Sequence, residues 1–261
     1  MRSLSIGATG MLAQQLNVEV ISNNIANMTT TGFKRQRAEF QDLLYQNLVR
    51  PGAASSDSGT IVPSGIQLGA GVKAAAVYRI NEQGDIEQTS NKLDLAIRGA
   101  GYFQVQLPSG ETAYTRAGSF QMNAQGQIVT SDGYTVMPSM SIPQGATDIA
   151  INSNGEVSVK LDGQSAPQKI GQFQLAAFPN PAGLDATGDN LLKETPASGA
   201  AVTGTAGSTG IGNIMQGALE TSNVNVVTEI TNLISAQRAY EMNSKVIRAS
   251  DEMMNSVTQL R

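Results

Sequence analysis

The chain has 261 residues, a formal net charge of −4, and no Cys, His or Trp. Without Cys there is no disulfide framework, thiolate metal site or Cys nucleophile; without His the commonest general base and the usual Ser-His-Asp triad are gone. A pI near 4.9 argues against a generally basic nucleic-acid surface, and no apolar run approaches the ~20 residues of a membrane span.

The charge is unevenly divided. Residues 1–50 hold five Lys/Arg against three Asp/Glu and residues 217–261 hold four against five, so the middle carries eight against thirteen. Near-neutral ends suit close packing of many copies. The opening run from Met1 to Ala8 is broken by Ser and Gly and is soon followed by Gln14-Gln15, so it reads as the start of a helix and not as a cleaved signal.

Residues 3 to about 46 have helical texture. Leu4, Met11, Val18 and Ile25 recur every seven residues, and Leu12, Leu16 and Ile21 widen the face. That is the stripe of a helix packed along another helix. Thr29-Thr30-Thr31-Gly32 interrupts it, and Phe40, Leu43, Leu44 and Leu48 predict a second short helix over about 37–48, stopped by Pro51-Gly52. The density of Asn between Asn17 and Asn27 reads as buried amides that fix helix register, or as a polar face and a helix end. Lys34-Arg35-Gln36-Arg37 reads as a solvated helix start or as a contact for carboxylates of an adjacent copy.

Residues 51–66 have linker composition. From about 68 to 215 the period changes to two, as in Val72/Ala74/Ala76/Tyr78, Phe103/Val105/Leu107 and Val157/Val159/Leu161. Turn signals such as Gln125-Gly126, Asp132-Gly133 and Asn154-Gly155 separate the runs. This predicts many short strands, with a Gly/Ala/Ser/Thr-rich loop over 196–213. The last 40 or so residues return to helix. Val226, Leu233, Tyr240, Ile247 and Met254 are seven apart, supplemented by Ile230, and a second stripe runs Ala239, Met242, Val246, Ala249, Met253, Val257 and Leu260. Two offset stripes are more than one partner helix can cover.

Chemistry-bearing patterns are weak. Gly99-Ala100-Gly101 precedes a strand and not a helix, so it reads as a turn and not as a dinucleotide loop. Carboxylates are scattered singly, with no pair marked out for acid/base work. No catalytic, cofactor or metal residue is expected.

Ser22-Asn23-Asn24-Ile25-Ala26-Asn27 followed by Thr31-Gly32-Phe33-Lys34 resembles the N-terminal signature of the bacterial flagellar axial proteins, the rod and hook subunits. Gln237-Arg238-Ala239-Tyr240-Glu241-Met242-Asn243 resembles their C-terminal signature, and Tyr114-Thr115-Arg116-Ala117-Gly118-Ser119-Phe120 agrees with their middle. The length, the run Phe33 to Arg37 and the segment Arg50 to Gly65 set the chain nearest the distal-rod members. Proximal rod or hook subunits are the alternative, and a rod-associated peptidoglycan hydrolase is a remote one.

The resemblance implies an α+β fold, with N- and C-terminal helices paired as a coiled-coil-like domain and an inserted all-β domain. Its divisions would be 1–46 and 217–261 for the helical core, 47–67 for an extended inter-subunit segment and 68–216 for the β-rich part. It implies no enzymatic activity and no cofactor. The implied product is a hollow, rigid helical homopolymer that transmits torque in the basal body, spanning periplasm to outer membrane. The implied partners are proximal rod proteins, the hook protein, the P- and L-ring proteins and the flagellar type III export apparatus, with export without a cleaved signal.

Overall fold

The computed structural model describes residues 2–49, 64–162 and 166–259, so most of the expected inter-subunit segment 47–67 lies outside the described residues. The architecture is α+β: a first helix α1 (Arg2–Ala26), twenty short strands among the described residues, and a last helix α2 (Val226–Gln259). Among the described residues no helix is long and apolar enough to cross a membrane. The chain divides into two compact units, one of Met1–Ile25, Gln36–Tyr78 and Asn225–Arg261, the other of Ala26–Arg35 and Arg79–Val224.

In the first unit α2 begins where Asn225 caps it. The Asn225 side-chain oxygen accepts from the Thr228 amide at 3.1 Å, while its carbonyl accepts the Glu229 amide at 3.0 Å. A side-chain oxygen at this position satisfies an otherwise orphaned helix donor. The helix expected over 37–48 is absent. Gln36–Asp42 is a strand paired with Val72–Arg79, and Tyr45–Val49 pairs antiparallel with Ile66–Gly69. Gln36, Ala38 and Phe40 alternate with more exposed neighbours, a period of two that the apolar run Leu43-Leu44 obscures. Short apolar runs do not distinguish helix from strand. The residues flanking the undescribed segment are therefore a strand pair with register Tyr45↔Gly69 and Gln46↔Leu68.

The second unit is built on a branched antiparallel sheet. Its spatial order is Asp185–Gly188, Leu191–Lys193, Thr112–Thr115, Tyr102–Gln106, Thr135–Val136, Ile128–Val129, Gln121–Met122. Gln174–Ala177 also pairs with Tyr102–Gln106, and with Val202–Thr205 on its other side. The last of these interrupts the loop expected over 196–213, and Asn213–Gln216, paired with Leu95–Arg98, begins at its end. A separate three-stranded sheet joins Ala146–Ile151, Glu156–Leu161 and Gln168–Gln172.

Tight turns at Gly126, Gly133 and Gly155 take positive φ, which glycine adopts without steric cost. The core gathers Phe103, Phe120 and Phe173 with Leu95, Ile97, Val157, Val159 and Leu175. Phe103 meets Phe120 and Phe173 edge-on at ring distances of 5.0 and 6.3 Å, the arrangement aromatic quadrupoles favour. Tyr102, Tyr114, Phe178 and Leu184 form a smaller cluster.

Candidate assembly surface and its buried support

Within the first unit the two helices touch through small residues. A Cβ built on Gly7 would stand 2.9 Å from Ile247 Cγ1, and one on Gly10 would stand 2.8 Å from Asn243 Nδ2. Further along, Asn24 Nδ2 donates to Glu229 Oε2 at 3.1 Å. Rising numbers on α1 meet falling numbers on α2 at these contacts. Asn24 is buried, and its amide also pairs both backbone groups of Gln36, accepting its N–H at 2.7 Å and donating to its carbonyl at 2.8 Å. A buried amide with all three bonds made is stable; one left unpaired would be costly.

The less exposed side of α2 runs Val226, Glu229, Leu233, Ala236, Ala239, Asn243, Ile247, Ser250 and Met254. These steps of three and four residues define one helix face. On α1 the buried residues are Gly7, Ala13, Val20, Ile21 and Asn24, so Leu4, Met11, Val18 and Ile25 sit beside the deepest line and are half-buried. Leu233, Ile247 and Met254 are half-buried too, whereas Ile230 and Tyr240 are exposed. Met242, Val246 and Met253 stand 64 %, 48 % and 61 % exposed. Val227 and Ile234 are exposed at the other end of the helix. At 3.6 residues per turn, Val227, Ile230 and Ile234 fall on one flank of the less exposed face, and Met242, Val246 and Met253 fall on the other. Of the remaining second-stripe residues, Ala239 joins the less exposed face and Leu260 lies outside the described residues.

The second unit contains a buried ion cluster. Lys34 Nζ donates to Glu220 Oε1 at 2.5 Å and to the Glu82 carbonyl at 2.7 Å. Arg116 Nε donates to Glu220 Oε2 at 2.5 Å, and its other nitrogens reach the carbonyls of Gly101, Ile97 and Gly99. Glu220 is 1 % exposed and Lys34 is 8 % exposed. Burial alone would raise the Glu220 carboxyl, but Arg116 and Lys34 outweigh it and hold it below its ordinary value. Burial pulls the Lys34 ammonium below the ordinary lysine value despite Glu220.

Backbone bonds close around the cluster. The Gly32 amide donates to the Glu220 carbonyl at 2.8 Å, and Asn223 accepts the Arg35 amide while donating to the carbonyls of Ile80 and Glu82. Gly32 has φ +69°, and a Cβ there would lie 2.8 Å from backbone atoms of Arg116 and Ala117. The cluster thus ties together five stretches of chain, 32–35, 80–84, 97–101, 116–117 and 220–223.

Both sequence readings of the basic run need correction at Lys34. It is not solvated, and the carboxylate it pairs with lies 186 residues away in the same chain; Arg37 is exposed. The signature residues separate in the same way. Asn24 and Lys34 are buried; Gly32, Phe33 and Asn27 are half-buried; Asn23, Gln237, Arg238, Tyr240 and Glu241 are exposed; Asn243 packs at Gly10.

Sequence reasoning singled out none of Glu220, Arg116, Asn223 or Glu229 as site residues. The available signal was the pair of unlike charges, Arg116 and Glu220, each in an otherwise apolar and small-residue stretch. Asp148 and Glu156 form exposed pairs with Lys92 and Lys169, and among the described residues no group of acidic side chains is arranged to hold a metal.

Comparison with known proteins gives three family matches along the chain. Residues 4–34 match the family described as "Flagella basal body rod protein". Residues 96–159 match "Flagellar hook protein FlgE/F/G D1 domain", and residues 215–260 match "Flagellar basal body rod FlgEFG protein C-terminal". The chain is 62 % identical over 261 residues to the flagellar basal-body rod protein FlgG of Caulobacter vibrioides, covering all of both chains. It is 51 % identical to the protein of that name from Agrobacterium fabrum, covering 99 % of each. It is 46 % identical to that from Borreliella burgdorferi, covering 100 % of this chain and 99 % of the other.

Proposed function

The chain belongs to the flagellar basal-body rod protein family, and from that premise we propose that it polymerises as the distal part of the rod. It is a structural subunit of the basal body and not an enzyme, since its relatives are rod proteins along their whole length. The finer reading is a hollow, rigid helical homopolymer that transmits torque. Its terminal helices pair as a coiled-coil-like domain, residues 1–46 with 217–261, and supply the contacts between copies. Residues 47–67 bridge neighbours, and residues 68–216 form the β-rich part. Proximal rod subunits, the hook protein and the P- and L-ring proteins are its neighbours between periplasm and outer membrane, which it reaches through the flagellar export apparatus without a cleaved signal.

The observation that carries this reading is the apolar surface α2 leaves uncovered, Met242, Val246 and Met253 on one flank and Val227, Ile230 and Ile234 on the other. Unlike patches at opposite ends and flanks of one helix suit a head-to-tail contact, which propagates where a self-complementary contact would stop at a dimer. The Met side chains adapt to an imperfectly matched neighbour. Electron microscopy of basal bodies from cells carrying Val246→Asp with Met253→Asp tests it. Buried unpaired charge at a copy-to-copy contact should leave folded protein and no completed rods, and normal rods would overturn the reading.

A further inference from the structure

We propose that the second unit carries a carboxylate-binding cleft, one that accepts a single negative charge on a short apolar stem. The proposal stands independently of the rod reading.

The cleft holds about 290 Å³ and is walled by Tyr102, Ala177, Phe178 and Pro181, with Lys34 and Arg116 also lining it. These two cations share one carboxylate. Glu220 already accepts from Lys34, Arg116 and the Gly84 amide, which donates to its Oε1 at 3.0 Å. The remaining partners of Arg116 and Lys34 are backbone carbonyls, which satisfy hydrogen bonds but not charge. One positive charge is therefore left over among groups that are more than nine-tenths buried. Arg79 is not among the residues lining the cleft; its guanidinium donates to the Leu184 carbonyl at 3.0 Å.

An uncompensated charge in a low-dielectric surrounding is costly, and an anion brought beside it offsets that cost. Lys34 supplies the contact. An ammonium has three donors, and only two of those of Lys34 have partners among the described residues.

The class of ligand follows from three features. The surplus is a single charge, so a monoanion balances it and a phosphate dianion would reverse it. One free ammonium donor suits a carboxylate oxygen. Beside Asn81 and Gln83 the walls are aromatic and aliphatic, and the volume is at the small end for ligand sites, which run from roughly 300 Å³ upward. A propionate-sized group fits, either as a free small carboxylate or as a Glu or Asp side chain of a second copy.

The test is thermal unfolding of the full chain in sodium propionate against sodium chloride at equal ionic strength. It is repeated with Lys34→Met, which removes the donor, and with Ala100→Phe, which crowds the cleft without touching the ion cluster. The unfolding midpoint should rise with propionate and saturate in the native chain, and it should show no such rise in Ala100→Phe even if Lys34→Met fails to fold. No rise beyond chloride, or an equal rise in Ala100→Phe, overturns the proposal. Sedimentation in the same salts separates the two sources. Copies that come apart in propionate identify the natural occupant as a neighbour's carboxylate; a saturating rise with unchanged association identifies a free one.

Discussion

The two units treat their apolar residues in opposite ways. In the second, Phe103, Phe120, Phe173, Leu95, Ile97 and Leu175 are all nearly inaccessible to water. In the first, the described side chains that α2 fully buries are only Glu229, Ala236 and Ser250, while its larger described apolar residues are half-buried or exposed. Burial of apolar area is the main favourable term in folding, at about 25 cal/mol per Å². The second unit has realised that term within one chain. The first leaves part of it unrealised within the chain, the part that the proposed assembly would bury, and the small residues Gly7 and Gly10 let the two helices approach closely. A structural subunit profits from this division, since one region is finished before assembly and the other is finished by it.

Breaking the finished unit should cost most at its ion cluster. Glu220→Ala leaves Lys34 and Arg116 buried without a carboxylate and should destabilise the second unit by about 3–5 kcal/mol in thermal or denaturant unfolding. The same carboxyl gives a pH signature. Its folded value lies below the ordinary 4.5, so its contribution is complete above that value and is lost as pH falls through the depressed one. Unfolding midpoints measured from pH 7 to pH 3 should fall for the native chain, and Glu220→Gln should lack this component.

A smaller effect is expected at Gly32→Ala. The left-handed φ alone costs a non-glycine residue about 1–3 kcal/mol, and the approach to the Arg116 and Ala117 backbone adds to it. In the first unit, Asn24→Ala removes three bonds from a buried position. It should cost about 1–3 kcal/mol, the desolvation penalty of partners left unsatisfied. Far-ultraviolet circular dichroism reports the helices lost to that change, and near-ultraviolet signals from Tyr102 and Tyr114 should be unaffected. Loss of both signals together would show that the units do not behave separately.

Much of this was legible in the sequence, for physical reasons that also explain the misses. The helices of 25 and 34 residues gave the seven-residue period room to repeat; Met242, Val246 and Met253 are exposed where Leu233, Ile247 and Met254 are half-buried, but Ile230 and Tyr240 are exposed as well. The segment 37–48 failed because the strand Gln36–Asp42 ends at Leu43-Leu44, whose apolar side chains belong to no alternation. Residues 202–205 looked like a loop because Val202-Thr203-Gly204-Thr205 has little to bury; its partner Gln174–Ala177 makes it a strand. The ion cluster was invisible because Lys34 and Glu220 are joined only by the fold, and a local charge run suggests solvent first.

The central claim is that the exposed flank of α2 is covered by another copy. Oxidative footprinting of methionine in free chains and in assembled rods tests it most directly, with buried Met140 as internal reference. The account predicts that Met242 and Met253 oxidise readily in the free chain and become as protected as Met140 in the rod. Equal oxidation of both residues in the two states would contradict it.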